Sequence, residues 1–288
     1  ASLAAMPELP EVETVCRGLA PHLEGRRITR VVVRRRDLRQ PIARGFSGQI
    51  EGRLVTRVER RAKYILLHLA DGGVVIWHLG MSGRAIVLDA DQTRQAEPAR
   101  HDHVVLLTDE GKSVVFNDPR RFGLMVMAAE SGLAGHPLLK RLGPEPLGDD
   151  FTQATLAAAL AGRRGAVKTA IMDQGIVAGM GNIYASESLF RAAVSPKRKA
   201  STVRGARASK LVAAICEVFR EAIAAGGSTI RDHRRPDGGI GRFQNAFRVY
   251  GRDGEACPGC ECNPAISGGI RKISQAGRAT FYCPRRQR

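Results

Sequence analysis

A chain of 288 residues, 43% of them hydrophobic, is long enough for two domains with cores of their own. Its 45 Lys and Arg against 28 Asp and Glu leave a formal charge of +17, which points to a polyanion, either nucleic acid or an anionic membrane surface. No apolar run nears the ~20 residues needed to span a bilayer, and the start ASLAAMPELPEVET lacks the basic and apolar regions of a secretory signal. Nucleic acid is therefore the expected partner and the cytoplasm the expected place.

The first predicted helix runs from Pro10 to Leu23. Val12, Val15, Leu19 and Leu23 recur at helical spacing, and Glu11 and Glu13 sit in the first turn, where the helix dipole favours acids. Pro21 is expected to kink or end it. The next hundred residues read mainly as strands. RITRVVVRR, RLVTRVERRAKYILLHL, GVVIWHL, HVVLLT and SVVFND are rich in β-branched residues, with turns at ADGG (70–73) and DEGK (109–112). Several short strands in series predict a sandwich or barrel. LGPEPLGDD (142–150) reads as a linker. Beyond it FTQATLAAALAG, the segment around Met172, YASESLFRAA and ASKLVAAICEVFREAIAA fit the helical period, and Gly226-Gly227 stop the last. Cys16 and Cys216 stand alone in apolar helical patterns and read as core thiols. Cys257, Cys260, Cys262 and Cys283 crowd the tail, which suits a metal site better than a disulfide framework.

Several separated motifs carry a resemblance. PELPEVET (7–14), HLGMSGR (78–84), NDPRRFG (117–123), the stretch 168–192, the stretch 226–252 and GRATFYC (277–283) resemble the formamidopyrimidine-DNA glycosylases. The resemblance spans nearly all of residues 7–288. It implies an α+β multidomain fold: an N-terminal β-sandwich with flanking helices over 7–141, a linker at 142–150, a helical DNA-binding domain with a helix–two-turn–helix and a lesion loop over 151–248, and a zinc-finger-like β-hairpin over 249–288. It also implies a monomeric bifunctional glycosylase and abasic-site lyase. The implied partner is double-stranded DNA containing oxidised bases or abasic sites, with 8-oxoguanine and formamidopyrimidines as the excised bases. An endonuclease VIII-like enzyme acting on oxidised pyrimidines and a lesion-binding protein without catalysis remain as alternatives.

By the same resemblance Pro7 is the nucleophile, Glu8 the acid/base, and Glu11 and Lys63 belong with them, Lys63 reaching phosphate from a strand. The logic is chemical. An α-amine of pKa ~8 is about one-tenth neutral at pH 7, whereas a lysine is almost wholly charged. A proline amine attacking a sugar C1′ gives an iminium, an electron sink that eases elimination of the 3′ phosphate. In this sequence ASLAAM precedes Pro7, so its nitrogen is an amide without a free lone pair, and the chemistry requires a form that begins at Pro7.

Met81, Arg120 and Phe122 are implied to fill the space left by an extruded base. His78, Arg121, Lys168, Asn182 and Arg278 are implied DNA contacts, and Glu187 matches a glutamate near the active site. Ser228, Thr229 and Tyr250 belong to the implied lesion loop. The family's finger is Cys-x2-Cys, sixteen residues, then Cys-x2-Cys. Here Cys257 and Cys260 form the first pair and Cys283 begins the second, but Arg286 stands in the fourth place and the gap is six residues longer. Cys262 is an extra thiol, so four remain for a structural Zn2+.

Overall fold

Val12, Val15, Leu19 and Leu23 bury one stripe of helix α1 (Leu9–Leu23). Pro21 lies inside the last turn without ending the helix, since a proline there costs only one bond of the ladder. The strands that follow are β1 (Ile28–Val33), β2 (Val55–Arg61), β3 (Tyr64–Leu69), β4 (Gly73–His78) and β5 (Arg84–Leu88). After the short helix α2 (Ala90–Gln95) come β6 (Asp102–Thr108), β7 (Ser113–Asn117) and β8 (Leu124–Ala129). They form two antiparallel four-stranded sheets, ordered β1-β6-β7-β5 and β2-β3-β4-β8. Trp77 of β4 meets Phe116 of β7 edge to face at 5.1 Å, in the core that both sheets share with α1. This is the predicted sandwich.

The computed structural model describes residues 6–228, 236, 238–261 and 263–288. Two compact units emerge. One takes the chain to Lys140 and recovers Ala225–Arg242; the other comprises Arg141–Ala224 and Phe243–Arg288. The second contains α3 (Gln153–Leu160), α4 (Val167–Ile171), α5 (Asn182–Arg191), α6 (Ala206–Ala224), the one-turn α7 (Pro264–Ser267) and the hairpin of β9 (Arg271–Gln275) and β10 (Arg278–Tyr282). Helices α4 and α5 flank two turns over 172–181. Gln174 holds these turns by donating to the Met172 and Met180 carbonyls and accepting from the Gly179 N–H.

Three expectations differ from this architecture. The run 53–69 is not one strand but a hairpin, turning at Ala62 and Lys63 with Ala62 at φ 52°; Arg61 pairs with Tyr64. Without Gly or Asn at the turn, the sequence hides it. The segments β5 and β8 are strands that the composition did not mark. Finally, the units differ from the expected boundaries. Residues 225–242 join the sandwich unit, while 141–150 and the tail hairpin join the helical one.

Candidate functional site

Pro7 is buried at the head of α1, and Glu8 is the helix N-cap, 3% exposed. Glu8 and Glu11 form a reciprocal capping box in which the Glu8 N–H donates to Glu11 Oε2 at 3.0 Å. The other Glu11 oxygen accepts from the Ser228 N–H at 2.7 Å and the Ser228 hydroxyl at 2.8 Å. Glu11, expected among the catalytic residues, thus ties the helix start to Ser228. Gly227, at φ +78°, lies against Glu11, where a Cβ would come within 3.3 Å of its side chain. Thr229 lies outside the described residues.

Lys63 sits in the β2–β3 turn rather than on a strand, and it is buried, at 7% exposure. Arg60 links this turn to α1, donating to Glu13 at 2.9 Å and to the Ala62 carbonyl at 3.2 Å. Those two bonds set Lys63 relative to the helix that carries Glu8. His78, across the β3–β4 ladder from Tyr64, is buried beside it. Burial, then the charges of Lys63 and Arg39, push His78 down to about 4. The ring is therefore neutral near pH 7, and its Nδ1 accepts the Gly80 N–H at 2.9 Å. His78 shapes the loop that follows it and leaves only Nε2 for any outside acceptor.

That loop carries Met81, half-buried, and packs backbone to backbone against the 118–123 loop. Gly80, at φ +69°, leaves no room for a side chain: a Cβ would sit 2.4 Å from the Phe122 carbonyl carbon. The second loop presents Arg120 and Phe122, both exposed, with the guanidinium 4.7 Å from the ring centre. Met81, Arg120 and Phe122 therefore occupy neighbouring loops, and Phe122 is one of three large hydrophobics that are exposed among the described residues. Asp118, which sequence reasoning passed over, joins the two loops. Its carboxylate accepts from the Ser82 hydroxyl at 2.6 Å, the Gly123 N–H at 2.8 Å and the Arg120 N–H at 3.3 Å. Arg121 adopts φ 58° and pairs with Asp37, while the Arg39 N–H donates to the Gly123 carbonyl.

In the helical unit Lys168 is 1% exposed. Its ammonium donates to Asn182 Oδ1 at 2.5 Å, Thr280 Oγ1 at 2.7 Å and the Ala279 carbonyl at 3.2 Å. Asn182, the first residue of α5, also donates to the Ala279 carbonyl at 3.0 Å and the Tyr250 hydroxyl at 3.4 Å. Lys168 and Arg278 line one concavity of about 210 Å³ together with Thr169, Met172, Asp173 and Gln275. Arg278 is exposed and follows the tight Ala276-Gly277 turn, whose two residues have φ 48° and 72°.

Tyr250, expected in the lesion loop, lies in a turn of the helical unit at 6% exposure. It belongs to an aromatic row in which Tyr184, Phe243, Phe247, Tyr250 and Phe281 follow one another at 5.0 to 5.8 Å. Glu187 anchors the same stretch. Its carboxylate accepts the N–H groups of Arg248, Val249 and Tyr250 at 2.8 to 3.0 Å, and burial pushes its carboxyl above the ordinary range.

The sulfurs of Cys257, Cys260 and Cys283 lie within 4.8 Å of one another, with Cys260 and Cys283 at 3.6 Å. Three clustered thiols suit three corners of a tetrahedral zinc site. Arg286, at the fourth corner by sequence, supplies no ligand. It donates to the Gly259 carbonyl at 3.0 Å and the Phe190 carbonyl at 3.2 Å, and lies over the Phe190 ring. Cys262 lies outside the described residues. Cys16 is buried as expected, whereas Cys216 is half-buried, with its thiol 3.0 Å from the Pro146 carbonyl.

Two family models match. Residues 6–125 fit the formamidopyrimidine-DNA glycosylase N-terminal domain, and residues 142–234 fit the H2TH domain of the same proteins. The chain is 53% identical over 283 residues to a formamidopyrimidine-DNA glycosylase of Rhodospirillum rubrum, covering 98% of this chain and all of that one. It is 51% identical to one of Paracoccus denitrificans, covering 97% and 99%. Among solved structures, the MutM (Fpg) protein of Thermus thermophilus superposes with a TM-score of 0.84 at 38% identity, covering 98% of both chains. The Lactococcus lactis Fpg in complex with DNA containing an abasic site superposes with a TM-score of 0.86 at 30% identity, covering 98% of this chain and 99% of that one.

Proposed function

The chain belongs to the formamidopyrimidine-DNA glycosylase family, and on that premise we propose that it is a bifunctional DNA glycosylase and abasic-site lyase of base excision repair that removes oxidised purines. The observation that carries this reading is the buried pairing of Pro7 with Glu8 at the head of α1, braced by Glu11 and Ser228.

In the form that begins at Pro7, the secondary amine attacks C1′ of the damaged nucleotide. The C1′–base bond breaks, its electrons leave with the base, and Glu8 supplies a proton to the sugar ring oxygen or the base. Once the attached nitrogen has lost its proton, its lone pair forms the C1′=N+ iminium as the C1′–O4′ bond breaks and O4′ leaves as a protonated hydroxyl. Loss of a 2′ proton to a base expels the 3′ phosphate, and a second elimination expels the 5′ phosphate. Lys63 and Arg121 in the sandwich unit, and Lys168, Asn182 and Arg278 in the helical unit, are assigned to backbone phosphates. Met81, Arg120 and Phe122 fill the vacated space, and His78 and Ser228 hold the loops in shape.

A structural Zn2+ on Cys257, Cys260 and Cys283, with Cys262 as fourth donor, would cross-link the Cys257–Cys260 segment to the end of the β9–β10 hairpin. No step of the reaction passes through it. Metal analysis of the purified protein should find one zinc per chain, lost in Cys283→Ser; less than a tenth of an equivalent removes the metal from the reading. The working unit is a cytoplasmic monomer on duplex DNA. Among the described residues no helix is long and apolar enough to cross a membrane.

Borohydride trapping on an 8-oxoguanine duplex tests the chemistry, with the chain as written compared with a form beginning at Pro7. A covalent adduct formed only by the Pro7 form is expected. No adduct from either form would leave a lesion-binding protein without catalysis. Preferential cleavage of a thymine-glycol duplex would favour the pyrimidine reading, and one solved Lactococcus lactis neighbour is itself bound to DNA containing an oxidised pyrimidine.

A further inference from the structure

We propose that Asp118 is a positioning residue that locks the Met81 loop and the Arg120–Phe122 loop into one wedge, so that excision from an intact duplex depends on it and strand cleavage at a preformed abasic site does not. The proposal rests on the function given above, in which those loops replace an extruded base.

Asp118 is fully buried, at 0% exposure. Its charge is met by dipoles of the two loops. Oδ1 accepts the Ser82 hydroxyl from the Met81 loop at 2.6 Å and the Arg120 N–H at 3.3 Å, and Oδ2 accepts the Gly123 N–H at 2.8 Å. Ser82 completes the link, because its oxygen also accepts the Arg120 N–H at 3.1 Å. The carboxylate is itself held. The Asp118 carbonyl accepts the His103 ring at 2.8 Å and the Arg121 N–H at 3.2 Å, and its own N–H donates to the His101 carbonyl at 3.0 Å. Space around it is closed as well: a Cβ on Gly123 would meet the Phe116 ring at 2.4 Å, and one on Gly80 the Phe122 backbone at 2.4 Å.

The residue type follows from this pattern. Three donors converge on two oxygens, which an ionised carboxylate satisfies as a pure acceptor. An amide of the same size turns an NH2 group toward at least one of those donors, so the loops lose their common anchor while the volume is unchanged. A wedge acts only where a stacked base must be displaced. An abasic sugar carries no base to unstack, so its cleavage asks little of the wedge.

The test is single-turnover kinetics of Asp118→Asn and Ser82→Ala, in the form with a free Pro7 amine. One duplex carries 8-oxoguanine and the other a preformed abasic site. Asp118→Asn is expected to slow base excision at least tenfold while abasic-site cleavage stays within twofold of the parent, and Ser82→Ala to show the same split more weakly. A 2-aminopurine beside the lesion should report slower base opening. Equal slowing of both reactions, or no slowing of either, in both variants overturns the proposal. If Asp118→Asn does not fold, Ser82→Ala decides alone. A parent protein inert on both duplexes would overturn the underlying function instead, a result separable from any difference between variants.

Discussion

Glu8 and Glu11 lie three residues apart in one capping box, yet their environments divide the work between them. Both Glu11 oxygens are engaged, by the Glu8 N–H and by Ser228, whereas Glu8 stands next to Pro7. Glu8→Gln keeps an acceptor for the Glu11 N–H and loses the acid. It should bind lesion-containing DNA within a fewfold of the parent and excise about 10²-fold more slowly; normal excision in a single-turnover assay would take Glu8 out of the mechanism. His78 supplies a pH prediction. Its folded value of about 4 lies below the ordinary 6.5, so the unfolded chain takes up the proton first as pH falls. The contribution is fully present above pH 6.5 and drains away between 6.5 and about 4, to a total of about 3 kcal/mol. Thermal unfolding at pH 7.5 and pH 5 should show a smaller pH difference for His78→Gln than for the parent.

At the scale of elements, short connections hold the chemistry and regular structure holds the connections. The β2–β3 hairpin brings Lys63 to its turn, and the Glu13–Arg60 pair ties that turn to α1. The β4–β5 and β7–β8 connections touch through glycine backbones. Gly80→Ala meets two penalties at once, a positive φ of 69° and a backbone contact of 2.4 Å, so the Met81 loop must shift. Melting should detect a loss of roughly 1–3 kcal/mol, with base excision falling further than the stability loss accounts for. An unchanged melting temperature would show that the loop relaxes freely. In the helical unit hydrogen bonds fasten the tail hairpin. Arg286 grips the Gly259 and Phe190 carbonyls, and Gln287 donates to the Val194 carbonyl at 2.9 Å. Arg286→Ala removes two hydrogen bonds and a cation–π contact, worth about 2 kcal/mol together. Faster hydrogen exchange over 257–288 is the readout, and unchanged protection would argue against the pin.

For the molecule as a whole, a formal charge of +17 makes DNA binding strongly dependent on salt. If the protein neutralises six or more phosphates, affinity should fall about 10³-fold or more between 50 and 200 mM salt. Arg278→Ala should flatten the logarithmic salt slope by about one and weaken binding to all sequences alike. A slope unchanged in that variant would remove Arg278 from the phosphate contacts.

Order along the chain determined whatever rests on neighbours. The apolar stripe of α1, the β-branched runs, the Gly-punctuated turns between α4 and α5 and the crowding of thiols in the tail depend on residues a few positions apart, and all were legible. So were the motifs that place Pro7, Glu8, Met81, Arg120 and Phe122. Burial and long-range pairing were decided only by the folded chain. Glu11 meets Ser228 across 217 residues, and Lys168 meets Thr280 across 112. The sequence hid the Ala62-Lys63 turn because no glycine marks it, and hid the burial of Tyr250 because the Phe281 ring that it meets lies 31 residues further along the chain. Asp118 reads locally as an ordinary turn acid; it becomes an anchor only when packing removes water and brings donors of two loops onto its carboxylate.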